Sequence, residues 1–330
     1  MHVLVTGGAG YVGSAVTACL LDSGIPVVVL DDMSTGHPQR LDGVDSYRGD
    51  IADAVLLDRI FTEHPDIDLA VHCAARKTVS ESLEQPLGYY RENVAKAVLL
   101  VEALLEHGCR RLIFSSSAAV YGSTDAPVVH ESTPVRPETP YAVSKVMVER
   151  MLTDIGATMT MRAISLRYFN PVGSDPRRRI TPYSTPPLPV LDNLLAAWER
   201  RMPFSIYGAD WDTPDGTPMR DFVHVWDVAR AHVVAAAQLM AEDAPGHTIL
   251  NIGSGEGTTI RQLVDLFNSL ADRPLDVRTE PRRSGDSRGG YAAIDRARAV
   301  LGWQPELSLS QAITDALAWA AVRPSLSGSS

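Results

Sequence analysis

A doubly wound, parallel α/β fold is what this sequence predicts, on three observations. Short, continuously apolar runs alternate with longer stretches that are apolar on one side, the first run leads straight into a glycine-rich turn, and the alternation persists through the first half of the chain. Val3–Thr6, Val27–Leu30, Leu69–Ala74, Leu112–Ser115 and Ala163–Tyr168 read as strands, because parallel strands covered on both faces lose the polar alternation of a half-exposed sheet. Between them, Val12–Ser23, Ala54–Glu63, Val94–His107 and Ala142–Ile155 are long enough for helices and amphipathic. Strands and helices in that order imply right-handed crossovers. The pattern stops at Pro171. From there to Pro189 the chain is rich in proline, carries Arg177-Arg178-Arg179 and has no apolar repeat. A loop of that length inside a compact domain is usually functional, for example a lid. Beyond it a helix is expected at Val225–Met240, a strand at Ile249–Ile252, and helices near Ile260–Leu270 and Ser310–Ala321. The polar tail Leu326–Ser330 is expected to fray.

Composition narrows the function classes. At 330 residues the chain has room for roughly two domains. Thirty Lys+Arg against forty Asp+Glu give a net charge of −10, which argues against nucleic acid as the main partner. No apolar run approaches the ~20 residues of a membrane helix, and no signal peptide is read at the N-terminus. Cys19, Cys73 and Cys109 are too few and too widely spaced for a disulfide framework or a zinc site. A cytoplasmic protein without a resident metal is expected.

The turn Thr6-Gly7-Gly8-Ala9-Gly10-Tyr11-Val12-Gly13 follows the first strand and opens the first helix. Glycines 7, 10 and 13 allow a tight turn, close approach of backbone to a pyrophosphate and packing of helix on sheet, and the helix N-terminus offers free N–H groups to phosphate. Asp31, at the end of the second strand, is placed to accept hydrogen bonds from both ribose hydroxyls, and it would repel a 2′-phosphate, so NAD is expected over NADP. Asp50 and Ile51, between the strands read at Val27–Leu30 and Leu69–Ala74, are placed to meet an adenine.

Tyr141 and Lys145 lie four residues apart on one face of a helix. A phenol titrating near ~10 is a poor base at neutral pH; a nearby cation, aided by a positively charged nicotinamide, is expected to lower that value. Ser115-Ser116-Ser117 ends the fourth strand, at the carboxyl edge where ligands of such sheets bind, so a hydroxyl there can bridge substrate and Tyr141.

With these residues in place, the chain resembles the extended short-chain dehydrogenase/reductases, through the Gly-x-x-Gly-x-x-Gly turn, the segment Ser115-Ser116-Ser117-Ala118-Ala119-Val120-Tyr121-Gly122 and Tyr141-x-x-x-Lys145. Three later segments, Arg167–Gly173, Asp215–Val225 and Pro281–Asp286, resemble the UDP-glucose 4-epimerase branch, and the similarity runs from residue 2 to about 320. The resemblance implies an NAD-binding Rossmann domain over residues 1–170 plus a returning segment near 223–253. It further implies a smaller nucleotide-sugar-binding α/β subdomain over about 171–222 and 254–325, with 326–330 as a tail. It makes Tyr141 the base, Lys145 its partner and Ser117 the bridge. It puts Tyr11, Val12, Lys77, Asn93 and Tyr168 beside NAD, and Asn170, Tyr207, Arg220, Arg283, Asp286 and Gly290 on the UDP-sugar. It also implies a homodimer paired through the helices around Pro86–His107 and Ala142–Ile155.

The implied reaction is transient oxidation at the sugar C4, with NAD regenerated each turn. Relatives that eliminate or decarboxylate carry a carboxylate in the short active-site segment; Ser117-Ala118-Ala119-Val120 has none, which favours epimerisation. A pentose 4-epimerase or 4-reductase is the nearest alternative, and a non-catalytic NAD sensor the alternative from another class. Three departures from the branch stand out. Ala119 replaces a threonine. The Asn-Asn-Leu uracil clamp is out of register, with Leu188-Pro189 in its place. Gly290 stands where a bulkier residue limits N-acetylated sugars, although a slip of one residue would put Tyr291 there. Arg177-Arg178-Arg179 reads as a solvated face rather than a phosphate clamp, His224 as structural, and Trp226, Trp303 and Trp319 as packing residues.

Overall fold

The computed structural model describes residues 1–158, 160–177, 179, 189–241, 245–283 and 286–322. Seven parallel strands form the central sheet: β1 (His2–Thr6), β2 (Val27–Asp31), β3 (Asp45–Arg48), β4 (Ile67–His72), β5 (Arg111–Ser117), β6 (Arg162–Tyr168) and β7 (His247–Ile252). Their spatial order is β7-β6-β5-β4-β1-β2-β3. The register sets Thr6 beside Leu30 on one side and beside His72 on the other, so β1 is the centre from which the chain first winds one way and then the other. β3 is missing from the apolar runs of the sequence because it is an edge strand, Asp-Ser-Tyr-Arg, exposed over most of its length.

Along β1 the side chains divide between two cores, as the two-residue strand period requires. Val3 and Val5 pack with Val16 and Leu20 of helix α1 (Tyr11–Asp22) and with Val228 and Ala236 of a returning helix, Val225–Leu239. Leu4 faces the opposite way, toward Leu57 and Ile60 of α2 (Ala54–Glu63), Leu100 and Leu104 of α3 (Lys96–Glu106) and Leu152 of α4 (Pro140–Ala157). The helix expected from Val94 begins earlier, at Pro86, and reaches α3 through one π-helical turn, Arg91–Ala95.

A third apolar cluster lies apart from the sheet. Leu191, Leu194 and Leu195 of the helix Val190–Glu199, Phe204 and Ile206 of a short strand, Phe267 of Ile260–Leu270 and Ile313 of Leu309–Val322 form it. Short strand pairs tie this lobe to the main one. Phe222–His224 pairs in parallel with Asn170–Val172, so Pro171 lies in a strand rather than opening a loop, on an edge where its missing N–H costs nothing. Most of the expected lid, residues 178 and 180–188, lies outside the described residues. Among the described residues no helix is long and apolar enough to cross a membrane.

Candidate active site

The connections after β1 and β4 run to opposite faces of the sheet, so a crevice opens outside the carboxyl ends of these two strands, where ligands of doubly wound sheets bind. Two cavities meet there. The larger, 720 Å³, is lined by Gly7, Gly10 and Gly13, by Asp31, Asp50 and Ile51, and by Lys145. The smaller, 390 Å³, is lined by Ser117, Asn170, Tyr207, Arg220, Arg283 and Asp286. Tyr11, Val12, Lys77, Tyr141 and Tyr168 border both. Tyr141 therefore stands at the junction of a dinucleotide-sized space and a second, polar-ended one.

The glycine turn is shaped for a bound diphosphate. Gly7 has φ +73°, and a Cβ there would lie 2.5 Å from the amide nitrogen of Ala74. A Cβ on Gly13 would lie 2.1 Å from the Gly7 carbonyl oxygen, so α1 can approach the turn only with glycine at that position. Gly10 is the N-cap of α1 and supplies no capping side chain, which leaves the first helical N–H groups for an anion. Beyond the turn, Ala9 N–H donates to Asp31 Oδ2 (2.9 Å) and Met33 N–H to Oδ1 (2.8 Å), fixing the buried carboxylate with lone pairs to spare for a ribose. Burial raises the Asp31 pKa. At the far end, Asp50 is held by Lys96 Nζ (2.5 Å), which also reaches Glu92. These features fit NAD.

Three consecutive serines at the end of β5 have three separate jobs. Ser115 Oγ meets Cys73 Sγ (3.1 Å) and the Tyr168 hydroxyl (2.8 Å). Ser116 Oγ donates to Glu149 Oε1 (2.6 Å), an acid paired in both its oxygens with Arg167. Ser117 lines the substrate cavity, caps the turn at Ala118–Tyr121 and neighbours Tyr141. Helix α4 starts at a Thr139 cap with Pro140 in its first turn and carries Tyr141 and Lys145 inward.

The electrostatics differ from the expectation in one respect. Lys145 Nζ donates to the Ser115 carbonyl (2.9 Å) and lies 5.8 Å from the centre of the Tyr141 ring, and burial brings its own pKa down to about 8. Burial raises the Tyr141 pKa, and only the Ser117 hydroxyl lowers it in turn. Lys145 is thus not among the groups that lower the Tyr141 pKa in this structure.

Behind the site, Tyr168 also bonds His232 Nε2 (2.5 Å), whose Nδ1 pairs with the Val228 carbonyl (2.8 Å). Burial brings the His232 pKa down to about 4 and that of His72 to about 3, so both are neutral at pH 7. The unfolded chain binds these protons near pH 6.5 and the folded chain only lower, so their stabilising effect is present above 6.5 and is lost as pH falls toward 4. For His232 the loss is on the order of 3 kcal/mol at pH 4. Thermal melts from pH 7 to 4.5 should show it, with a shallower fall in His232→Gln, and an equal fall in that variant would remove His232 from the account.

On the substrate side, Arg220 is held by its own Met219 carbonyl (2.6 Å) at the cavity wall, and Arg283 stacks on the Tyr207 ring (3.7 Å) with Asp286 3.7 Å away. Asn170 Nδ2 donates to the Asp221 carbonyl (3.0 Å). Asp221 itself is a clamp, accepting from the N–H groups of Ser254 (2.6 Å), Gly255 (3.2 Å) and Ala292 (3.0 Å).

Two assignments need correction. Asn93 does not line the cofactor cavity: its amide accepts from Arg76 N–H (2.8 Å) and donates to the Arg76 carbonyl (2.9 Å) and Ser144 Oγ (3.1 Å), so it braces the loop after β4 against α4. Gly290 does not face the substrate cavity either; a Cβ there would lie 2.5 Å from the Pro127 carbonyl oxygen, because the next residue pairs with Val128. Nor does Tyr291 close the cavity, since its ring lies against Gly257. Arg177 and Arg179 both pair with Asp22, and Arg178, Ser284, Gly285 and Leu188 fall outside the described residues. His224 caps the helix at Val225 and pairs with Asp315 (3.2 Å). Among the described residues no cluster of His, Cys, Asp or Glu is arranged to hold a metal. No motif or spacing points to Arg40, whose guanidinium is buried against the Ala9 carbonyl (2.9 Å), or to Asp192.

A dinucleotide cavity that shares a Tyr/Lys/Ser centre with an arginine-ended cavity defines an NAD-dependent enzyme of nucleotide-linked substrates. Residues 3–253 match the NAD dependent epimerase/dehydratase family, and the chain belongs to it. It is 41% identical over 323 residues to a UDP-glucose 4-epimerase of Azospirillum brasilense, covering 96% of this chain and 91% of that one. Among solved structures it is similar to a UDP-glucose 4-epimerase of Stenotrophomonas maltophila with bound NAD and formylated UDP-arabinopyranose. That match has a TM-score of 0.93 and 34% identity, covering 97% of this chain and 98% of the other. It is also similar to the enzyme of Bifidobacterium longum in complex with NAD+ and UDP, with a TM-score of 0.90 and 32% identity over 97% and 98% of the two chains. NAD is its cofactor.

Proposed function

We propose that this chain is an NAD-dependent UDP-sugar 4-epimerase that interconverts UDP-glucose and UDP-galactose. The observation that carries this reading is the junction at Tyr141: one phenol borders both the cofactor cavity and the substrate cavity, with Ser117 beside it and Lys145 behind it. Among the described residues that line the substrate cavity, Asp286 is the one carboxylate, and it neighbours Arg283 rather than Tyr141. An eliminating or decarboxylating enzyme needs a further acid or base at the reacting carbons, and this wall offers none.

NAD bound in the larger cavity supplies the hydride acceptor and donor at the sugar C4. The protein's part is positional and electrostatic. Ser117 bridges the 4-hydroxyl to Tyr141, and Tyr141 takes that proton and returns it to the 4-keto sugar after the sugar has turned over. Arg220 and Arg283 hold the diphosphate through charge-assisted hydrogen bonds, Asn170 stands at the same wall, and Asp286 accepts from the ribose. Asp31 holds the adenosine ribose of NAD, and Lys77 stands between the two ligands.

Residues 1–170 with about 223–253 serve in this reading as the cofactor lobe, and about 171–222 with 254–325 as the substrate lobe. UDP-N-acetylhexosamines are a second substrate pair, supported by a wall that neither Gly290 nor Tyr291 closes. A cytoplasmic homodimer is part of the same reading. Leu87, Leu99 and Met147 are exposed on the two helices expected to pair, and all three cysteines are free. An NMR time course with UDP-glucose and, separately, UDP-GlcNAc, with no cofactor added to the purified protein, tests the proposal. Formation of UDP-galactose is the expected result, with UDP-GalNAc from the second sugar. Failure on both sugars with NAD supplied would overturn it.

A further inference from the structure

Asp192 is a buried carboxylate that the reaction does not use. It lies in the first turn of the helix Val190–Glu199, is 5% exposed, and its Oδ2 is buried with no hydrogen-bond donor among the described residues. Such a group is costly unless cations neutralise it. The charges that reach it come from the opposite lobe. Lys77, on the loop after β4, and Arg40, on the loop after β2, favour its ionised form, while burial carries its pKa up to about 7. Tyr11, at the start of α1, is influenced by the same carboxylate, and Asp31 is a further acid acting on Arg40. Phe204–Tyr207, Leu309–Val322 and, through Phe267 against Trp198, Ile260–Leu270 pack on this helix. Their titratable and charged side chains are Tyr207, stacked under Arg283, Asp315, engaged by His224 and Gln311, and Arg261 and Asp265; Arg273, just beyond, lies over the Trp198 ring.

Tyr11, Lys77 and Arg40 all border the cofactor cavity, and Arg40 is bonded to the glycine turn itself at the Ala9 carbonyl (2.9 Å). NAD brings two phosphate charges to that turn. Carboxylate and diphosphate thus draw on the same two cations, Arg40 buried and Lys77 exposed at the cavity mouth. We propose that Asp192 is a built-in counter-anion that competes with the cofactor diphosphate for Lys77 and Arg40, so that NAD is held with Asp192 protonated and its binding takes up one proton. Below pH 7 the proton is already in place and NAD binds at full strength. Above pH 7 it must be acquired on binding, and affinity falls by up to tenfold per pH unit.

Equilibrium dialysis of the holoenzyme against graded NAD from pH 6 to 9 tests this without reference to turnover. The wild type should weaken by about tenfold or more between pH 6 and 9. Asp192→Asn, neutral at every pH, should vary by less than about threefold and bind NAD more tightly than the wild type at pH 9. Lys145, with a pKa of about 8, is present in both proteins, so its own titration cancels in the comparison. Calorimetry of NAD binding in buffers of different ionisation enthalpy should show about one proton taken up at pH 8 by the wild type and markedly less by the variant. A flat wild-type profile overturns the proposal, and so does an Asp192→Asn variant that keeps the wild-type slope or binds more weakly at pH 9. If Asp192→Asn does not fold, Asp192→Leu serves as the neutral variant, and the wild-type profile and proton count decide alone if neither folds.

Discussion

Replacing Tyr141 by phenylalanine is expected to lower kcat for UDP-glucose by roughly 10²–10⁴-fold, the usual contribution of a positioned general base, while the protein keeps its NAD. The phenol is buried at the meeting of the two cavities, and Ser117 is the hydroxyl beside it. Phenylalanine preserves the ring that packs edge-on against Tyr89 at 6.5 Å, so the site should stay intact apart from the lost O–H. KM should change little, because in the proposed reading the diphosphate is held at Arg220 and Arg283, away from this phenol. NAD content after acid release and the rate of epimer formation by NMR give the two readouts. Turnover retained within about tenfold of wild type would mean that the proton leaves by another group, and the assignment of Tyr141 would be lost. Cofactor lost along with turnover would instead make Tyr141 a binding residue.

Arg167→Met should cost about 3–5 kcal/mol of stability, the range for removing one partner of a buried ion pair. Arg167 is 3% exposed, meets Glu149 with two hydrogen bonds (2.9 and 2.6 Å) and lies 4.8 Å from the centre of the Tyr121 ring. Its removal strands Glu149 in the interior with Ser116 as its remaining partner. The double variant Arg167→Met, Glu149→Met should recover much of that loss, since no charge is then left buried. Urea unfolding of the four proteins closes the cycle. A single variant within 1 kcal/mol of wild type would show that Glu149 takes a proton cheaply, or that water reaches it. Glu149 lies one helical turn from Lys145, so the variant also reports on how firmly α4 presents Tyr141 and Lys145.

The parts of this site that were legible in the sequence share a cause: their chemistry depends on neighbours close in the chain. Gly7, Gly10 and Gly13 form one turn, Tyr141 and Lys145 are one helical turn apart, and Ser117 ends a strand that its apolar run announces. The fold was legible for the same reason, since covered parallel strands are continuously apolar. β3 escaped because an edge strand has no second apolar face to announce it, and the helix at Val190–Glu199 because a proline-rich stretch precedes it. Asn93 was misplaced because a motif position does not say which way a side chain points from a π-helical turn. Gly290 was misplaced because the pairing of residues 291–292 with 128–129 turned its missing side chain toward backbone. Arg40 and Asp192 carried no signal, since their meaning exists only once two distant loops and a helix of the other lobe come together.

The walls of the two cavities also differ in when they can exist. Every described residue bordering the cofactor cavity lies between Gly7 and Tyr168, whereas the substrate cavity waits for Arg283 and Asp286. On the ribosome, the residues that border the cofactor cavity have therefore all emerged before Arg283 and Asp286 have been translated. β7 and the helix Val225–Leu239, which cover the sheet, come between, and the third apolar cluster closes only with Ile313 and Ala316. The wall of the cofactor cavity is thus complete in the chain before the wall of the substrate cavity, although the core beneath it still awaits Ala297 and Trp303. Termination before Arg283 would leave a product with every described residue of the first wall and without the arginine and carboxylate that end the second.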